Sequence, residues 1–151
     1  MNFVNLFISP SGRINRAKFW IAILIFTVIN MLSAGMALAA GDNTSLVILN
    51  GILSLLIAAS GILVGIKRLH DRNKPGWWVL LYWVAPVVML SIGLAVGSDT
   101  LVVSILGFLA LAIGLWSLIE LGCLRGTIGQ NKYGPDPLAP DVLSPPVRTH
   151  A

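Results

Sequence analysis

Leu46 to Ile66 runs for 21 residues without a charge, and Lys67-Arg68-Leu69-His70-Asp71-Arg72-Asn73-Lys74-Pro75-Gly76 then places four cations in ten residues before a second uncharged run opens at Trp77-Trp78. Two long apolar runs joined by a short basic turn describe two helices that cross a bilayer and meet on one side of it. Working outward, two more charge-free runs flank this pair, Phe19 to Ala40 before it and Leu101 to Ile119 after it, while the third run extends from Trp77 to Gly97. The four are 19 to 22 residues long, which at 1.5 Å per residue reaches roughly 28 to 33 Å, the thickness of a hydrocarbon core. Lipid offers no hydrogen-bond partners, so only helices or closed barrels satisfy their peptide groups there. The runs do not alternate polar and apolar residues, which disfavours a barrel.

Composition agrees. Of 151 residues 56% are hydrophobic and 11% charged, against roughly 25% charged in soluble domains, and the mean hydropathy is +0.87. There is too little polar surface to cover a water-soluble globule of this size. The single cysteine excludes an internal disulfide, and one cysteine with two histidines is too thin a stock for a zinc site in one copy. No cofactor is implied. The net charge of +4 would suit nucleic acid only on a soluble basic face, and the placement of the charges argues against it.

All ten cations fall in three places. Arg13, Arg16 and Lys18 precede the first run; Lys67, Arg68, Arg72 and Lys74 separate the second and third; Arg125, Lys132 and Arg148 follow the fourth. The other two connections, Gly41 to Ser45 with Asp42 and Ser98 to Thr100 with Asp99, contain none. Cations in short loops are retained in the cytoplasm, so the expected fold is an all-α, multi-pass protein of the bacterial inner (plasma) membrane with both termini cytoplasmic. Its transmembrane domain covers residues 1–137, with spans at about 19–40, 46–66, 77–97 and 101–122, and a Pro-rich tail without fixed fold covers 138–151. A signal peptide cleaved near Ala37-Leu38-Ala39-Ala40 is the rival for the first span, but the run exceeds a signal core of 7 to 15 residues.

Within the spans, Pro86 removes a backbone donor and should kink the third helix. Asn30 and Asn50 read as amides bonded between helices. Gly61 with Gly65, and Gly93 with Gly97, are spaced for close backbone approach to Gly35, Ala39, Gly107 or a second copy. Glu120 lies about 28 Å along the fourth helix, near the basic side, where Lys67, Arg68 or Arg13 would neutralise it. Ahead of the first span, Met1 to Ile8 forms a short interfacial segment, and Ser9-Pro10-Ser11-Gly12 a turn.

Three motifs lie on the basic side: Gly12-Arg13-Ile14-Asn15-Arg16 followed by Phe19-Trp20; Arg68-Leu69-His70-Asp71 followed by Gly76-Trp77-Trp78; and Asn131-Lys132-Tyr133-Gly134-Pro135-Asp136-Pro137. In this order between four spans they resemble the three signatures of the domain-of-unknown-function 805 family, small bacterial inner-membrane proteins, over about residues 5 to 137. Where family members often carry a second arginine this chain has Lys67, and where they carry a glycine-serine pair it has Asn73-Lys74-Pro75. The family has no established activity, so the resemblance implies location and architecture without a mechanism.

The topology lets Arg13, Arg16, Arg68, His70, Asp71, Arg72, Trp77, Trp78, Glu120, Asn131 and Tyr133 converge. One expectation is a site for an anionic lipid headgroup or phosphate-bearing ligand, formed by Arg13, Arg16, Arg68 and Arg72 between aromatic walls. The plainer account, in which the charges orient the chain and the tryptophans anchor it, needs no ligand and is preferred. Catalysis has only His70 and Asp71 to offer, and these point about 100° apart on a helix. Transport rests on Glu120, Pro86 and Asn30 alone, and four spans leave little room for a pathway in one copy. The expected partners are membrane lipids, with a homo-oligomer or other membrane proteins as further candidates.

Overall fold

The protein is described by a computed structural model over residues 3–41, 43–97 and 101–139. Asp42, Asp99, Arg148 and nearly all of the Pro-rich tail therefore lie outside the described residues, as do Met1 and Asn2. The described chain is helical between its turns, with no strand beyond a single bridge from Asn131 to Gly134. A short helix α1 (Phe3–Ile8) is followed by α2 (Arg16–Ala40), α3 (Thr44–Asp71), α4 (Ala85–Val96) and α5 (Leu101–Ser117). Three stretches, Arg16–Ala39, Thr44–Asp71 and Leu101–Cys123, are long and apolar enough to cross a membrane, and Leu80–Val96 is a shorter apolar helix.

The helix bounds follow from caps. Asn15 accepts a hydrogen bond from the Lys18 amide at 2.9 Å, so α2 starts three residues before the charge-free run. Asn43 likewise accepts from Leu46 at 3.2 Å. At its other end α3 continues through Asp71, five residues past the apolar run, so much of the basic connection is helix. The chain reverses at Asn73, whose φ of 57° is a left-handed conformation that asparagine tolerates, and the Lys74 amide donates back to Leu69 at 2.9 Å.

Where a kink is expected at Pro86, the chain forms a π-helical turn, Leu80–Val84, just ahead of it, with the Ala85 amide donating to Leu80 five residues back. A proline cannot donate to the carbonyl four residues behind it, and widening the preceding turn accommodates that. A second π-helical turn, Leu118–Cys123, ends the fourth apolar helix.

α2 packs along α3 and α4 along α5; contact between the pairs is concentrated where the Leu118–Cys123 turn meets α2 and α3. The buried apolar cluster sits at that end, around Ile14, Phe19, Val64, Leu69, Tyr82 and Leu121. Elsewhere the helices are sheathed in exposed Leu, Ile, Val and Met side chains, while Arg13, Lys67, Arg68, Asp71 and Glu120 are buried. That reverses the pattern of a water-soluble protein and suits one surrounded by lipid.

The first glycine pair serves side chains instead of a neighbouring backbone. The Trp83 ring lies on Gly61 and Val79 on Gly65, whereas no described residue approaches the Cβ positions of Gly35, Gly97 or Gly107. Asn50 does bond between helices, to Ser33. Asn30 does not, since its Nδ2 donates to Phe26 of its own helix at 2.8 Å.

Candidate functional site

The three motifs meet where the fourth apolar helix ends. A helix terminates with carbonyls that have no intrahelical partner and with partial negative charge, and here five consecutive carbonyls each accept from a side chain. Arg68 Nε donates to Leu121 at 2.6 Å, Trp20 Nε1 to Gly122 at 3.1 Å and Arg16 to Cys123 at 2.9 Å. Arg68 also reaches Leu124, and Arg72 reaches Arg125. The first two motifs thus form a side-chain cap on the end of the last apolar helix.

Asp71 is the electrostatic centre of this cap. Arg13 Nε donates to its Oδ1 at 3.1 Å and Arg68 pairs with its Oδ2. All three side chains are buried. Two guanidiniums on one carboxylate leave N–H groups over, and planar arginine forks can deliver these to several acceptors. Arg13 supplies Thr127, Gly129 at 2.7 Å and Gly134 at 3.2 Å, and Arg68 supplies Ile14 at 3.4 Å. The segment after the helix closes the arrangement. The Thr127 amide donates to the Asp71 carbonyl at 2.8 Å. Gly126 rests so closely on the Asp71 carboxylate that a β-carbon there would collide with it.

His70 is stacked on Tyr133, centroids 3.8 Å apart and planes 7° from parallel. Asn131 Nδ2 donates to the His70 carbonyl at 2.9 Å and to Thr127 Oγ1 at 2.8 Å. The third motif therefore folds back over the end of α3. His70 Nδ1 is buried without a hydrogen-bond partner among the described residues, so Asp71 does not orient this imidazole. Asp136 accepts from the Leu138 and Gly129 amides at 2.9 and 3.0 Å; these bonds, Leu138 foremost, hold its carboxyl below the usual carboxylate range.

Glu120 forms a separate group. Its partners are Arg72 Nε at 3.1 Å and Lys74 Nζ at 3.0 Å, not Lys67, Arg68 or Arg13, because those three are already engaged with backbone carbonyls or Asp71. Lys67 donates to the Asn5 and Leu6 carbonyls and so fastens α1. Lys74 also lies 4.9 Å over the Trp78 ring, which packs against Tyr82 and Trp116. Trp77 stacks on Trp78 but is 61% exposed.

The structure therefore brings together Arg13, Arg68, Asp71, His70, Asn131 and Tyr133, places Arg72 with Glu120 beside them, and leaves Trp77 and Trp78 on the flank. Sequence reasoning missed Lys74, Thr127, Gly126, Tyr82 and Trp116 as participants. Gly126, directly after Arg125 where the last helix ends, is the one that carried a signal. The space between Arg16, Arg68, Asp71, Thr127 and Asp136 is about 10 Å³, room for one water. No cluster of His, Cys, Asp or Glu able to hold a metal occurs among the described residues. A larger cavity of about 440 Å³ lies outside the cap, lined by Asn15, Arg16, Ala17, Trp20, Gly122, Cys123 and Leu138.

Comparison with known proteins gives a consistent result. The family described as Protein of unknown function (DUF805) matches residues 7–135. Among curated proteins of Escherichia coli K12, the chain is 31% identical to Inner membrane protein YhaH over 132 residues, covering 83% of this chain and 84% of the relative. It is 33% identical to Uncharacterized protein YiiR over 131 residues, covering 85% of each, and 26% identical to Inner membrane protein YhaI, covering 87% of each. No solved structure matches it significantly.

Proposed function

This chain belongs to the DUF805 family, and on that premise we propose that it is an inner-membrane protein crossing four times with both termini cytoplasmic, whose basic end engages anionic phospholipid headgroups and performs no chemistry of its own. The ten-to-zero distribution of cations between alternate connections supports the orientation, and the apolar sheath supports the crossings.

The observation that carries the binding role is how the cations divide. Arg13, Lys67 and Arg68 are buried and engaged with Asp71 or backbone carbonyls, while Arg72 and Lys74 are engaged with Glu120. Arg16 makes one hydrogen bond, to Cys123, and no ion pair involves Lys18 among the described residues. Arg16 borders the cavity of about 440 Å³ beside Trp20, an interfacial residue type at the depth of headgroups. Of the larger set Arg13, Arg16, Arg68 and Arg72, then, Arg16 is best placed for a lipid phosphate, with Lys18 adding charge nearby. Catalysis by His70 and Asp71 lacks support because the Asp71 carboxylate is taken up by Arg13 and Arg68, and proton coupling at Glu120 because two cations neutralise it.

Each cation near an anionic leaflet contributes about 1 kcal/mol. Replacing Arg16 and Lys18 by glutamine is expected to lower retention of phosphatidylglycerol relative to phosphatidylcholine by roughly tenfold to thirtyfold, read by mass spectrometry of lipids copurified from mixed bilayers. Unchanged retention would remove the headgroup role and leave the cap as pure architecture.

A further inference from the structure

A groove of about 560 Å³ opens between α2 and α3 and is closed toward the basic end by Trp83. Its lining includes Thr27, Asn30 and Ala34 from α2 and Ser54 and Ala58 from α3. Asn30 stands 14 residues into a helix of 25, about 21 Å along it, and thus near the middle of the bilayer. Thr27, Asn30 and Ser54 are all exposed.

Each of the three donates to the carbonyl four residues back in its own helix, at 2.9, 2.8 and 2.9 Å. That satisfies the hydroxyl protons. It leaves Asn30 with an amide oxygen and a second N–H proton that have no partner among the described residues. Acyl chains cannot supply one, and an unsatisfied amide in an apolar medium is unfavourable. The contrast with Asn50 is informative, since that amide lies in the same helix pair and is bonded across it to Ser33.

The missing partner must reach mid-bilayer depth, carry both a donor and an acceptor, and come with an apolar body that fits beside small side chains such as Ala34 and Ala58. A second copy related by a two-fold axis along the membrane normal satisfies all of these, because it presents Asn30 at the same depth and its amide is complementary to itself. We propose that two copies of this chain pair through the α2–α3 groove, with their Asn30 amides hydrogen-bonded across the axis. This contact is independent of the headgroup role and would survive its failure.

The test uses the full chain in lipid bilayers. Subunit energy transfer measured on dilution in lipid should report a dimer, and Asn30→Leu, which keeps the helix apolar and leaves the Ser33–Asn50 bond intact, should weaken it about threefold to twentyfold. Asn30→Gln should restore part of the loss. In a Cys123→Ser background, Met31→Cys in the groove should crosslink between copies and Leu94→Cys on α4 should not. A monomer at every lipid ratio, a dimer indifferent to Asn30→Leu, or crosslinking through Leu94→Cys instead would overturn the proposal. So would a monomer that copurifies with a hydroxyl-bearing lipid displaced by Asn30→Leu.

Discussion

Asp71 and Glu120 are both buried acids with two basic partners, yet their surroundings differ. Asp71 holds Arg13 and Arg68, whose side chains are 1% and 0% exposed, while the partners of Glu120 keep 25% and 29% of their surface in contact with solvent. Removing one charge from a buried network strands the others, at about 3–5 kcal/mol, whereas partly exposed cations can rehydrate. Asp71→Asn is therefore expected to destabilise the protein by about 3–5 kcal/mol and Glu120→Gln by about 1–2 kcal/mol, as measured by unfolding in mixed micelles. Asp136 supplies a pH dependence. Its carboxyl is held low in the folded chain by the Leu138 and Gly129 amides, so its contribution is present above the unfolded value of about 3.9 and is lost as pH falls through the lower folded value. The order of segment 129–138, followed as protection of the Gly129 and Leu138 amides relative to their intrinsic exchange rates, should be insensitive to pH above about 5, and Asp136→Asn should abolish the acid-dependent part.

At the scale of elements, the charge-free runs made the apolar helices legible, because a lipid-facing helix admits few charges anywhere along its length. The rotation of each helix was not legible. The π-helical turns at Leu80–Val84 and Leu118–Cys123 add a residue to a turn and so rotate everything beyond them, which is why partners for Glu120 could not be picked by depth alone. Gly61 and Gly65 were recognisable as a site of close approach, but their partner proved to be the third apolar segment through Trp83 and Val79. Gly61→Val should consequently force Trp83 aside, at about 1–3 kcal/mol for overpacking. Trp83→Ala should recover part of that loss in the double variant, with tryptophan fluorescence reporting the displacement.

For the molecule as a whole, the gathering of the described cations at one end of the helices could be read from sequence, because charge placement is a property of residue types. How they are satisfied could not, since most acceptors are backbone carbonyls at 121–134, which carry no identity in the sequence. Two outcomes follow at this scale. Reporter fusions at 41–45 should be active outside the cytoplasm and fusions after 139 inside it; the same side for both would contradict four crossings. Deleting residues 124–139 should lower membrane abundance severalfold, since stability losses of 1–2 kcal/mol already change abundance by that much, with proteolysis of the full and shortened chains as the measurement. The carbonyl cap also sets an order of events during biosynthesis. Arg13 and Arg68 leave the ribosome long before the acceptors at 121–134, so until those residues emerge the two guanidiniums have only Asp71 and Ile14 of their partners. A chain stopped short of residue 121 lacks the remaining acceptors, and its first and second motifs should stay loosely held.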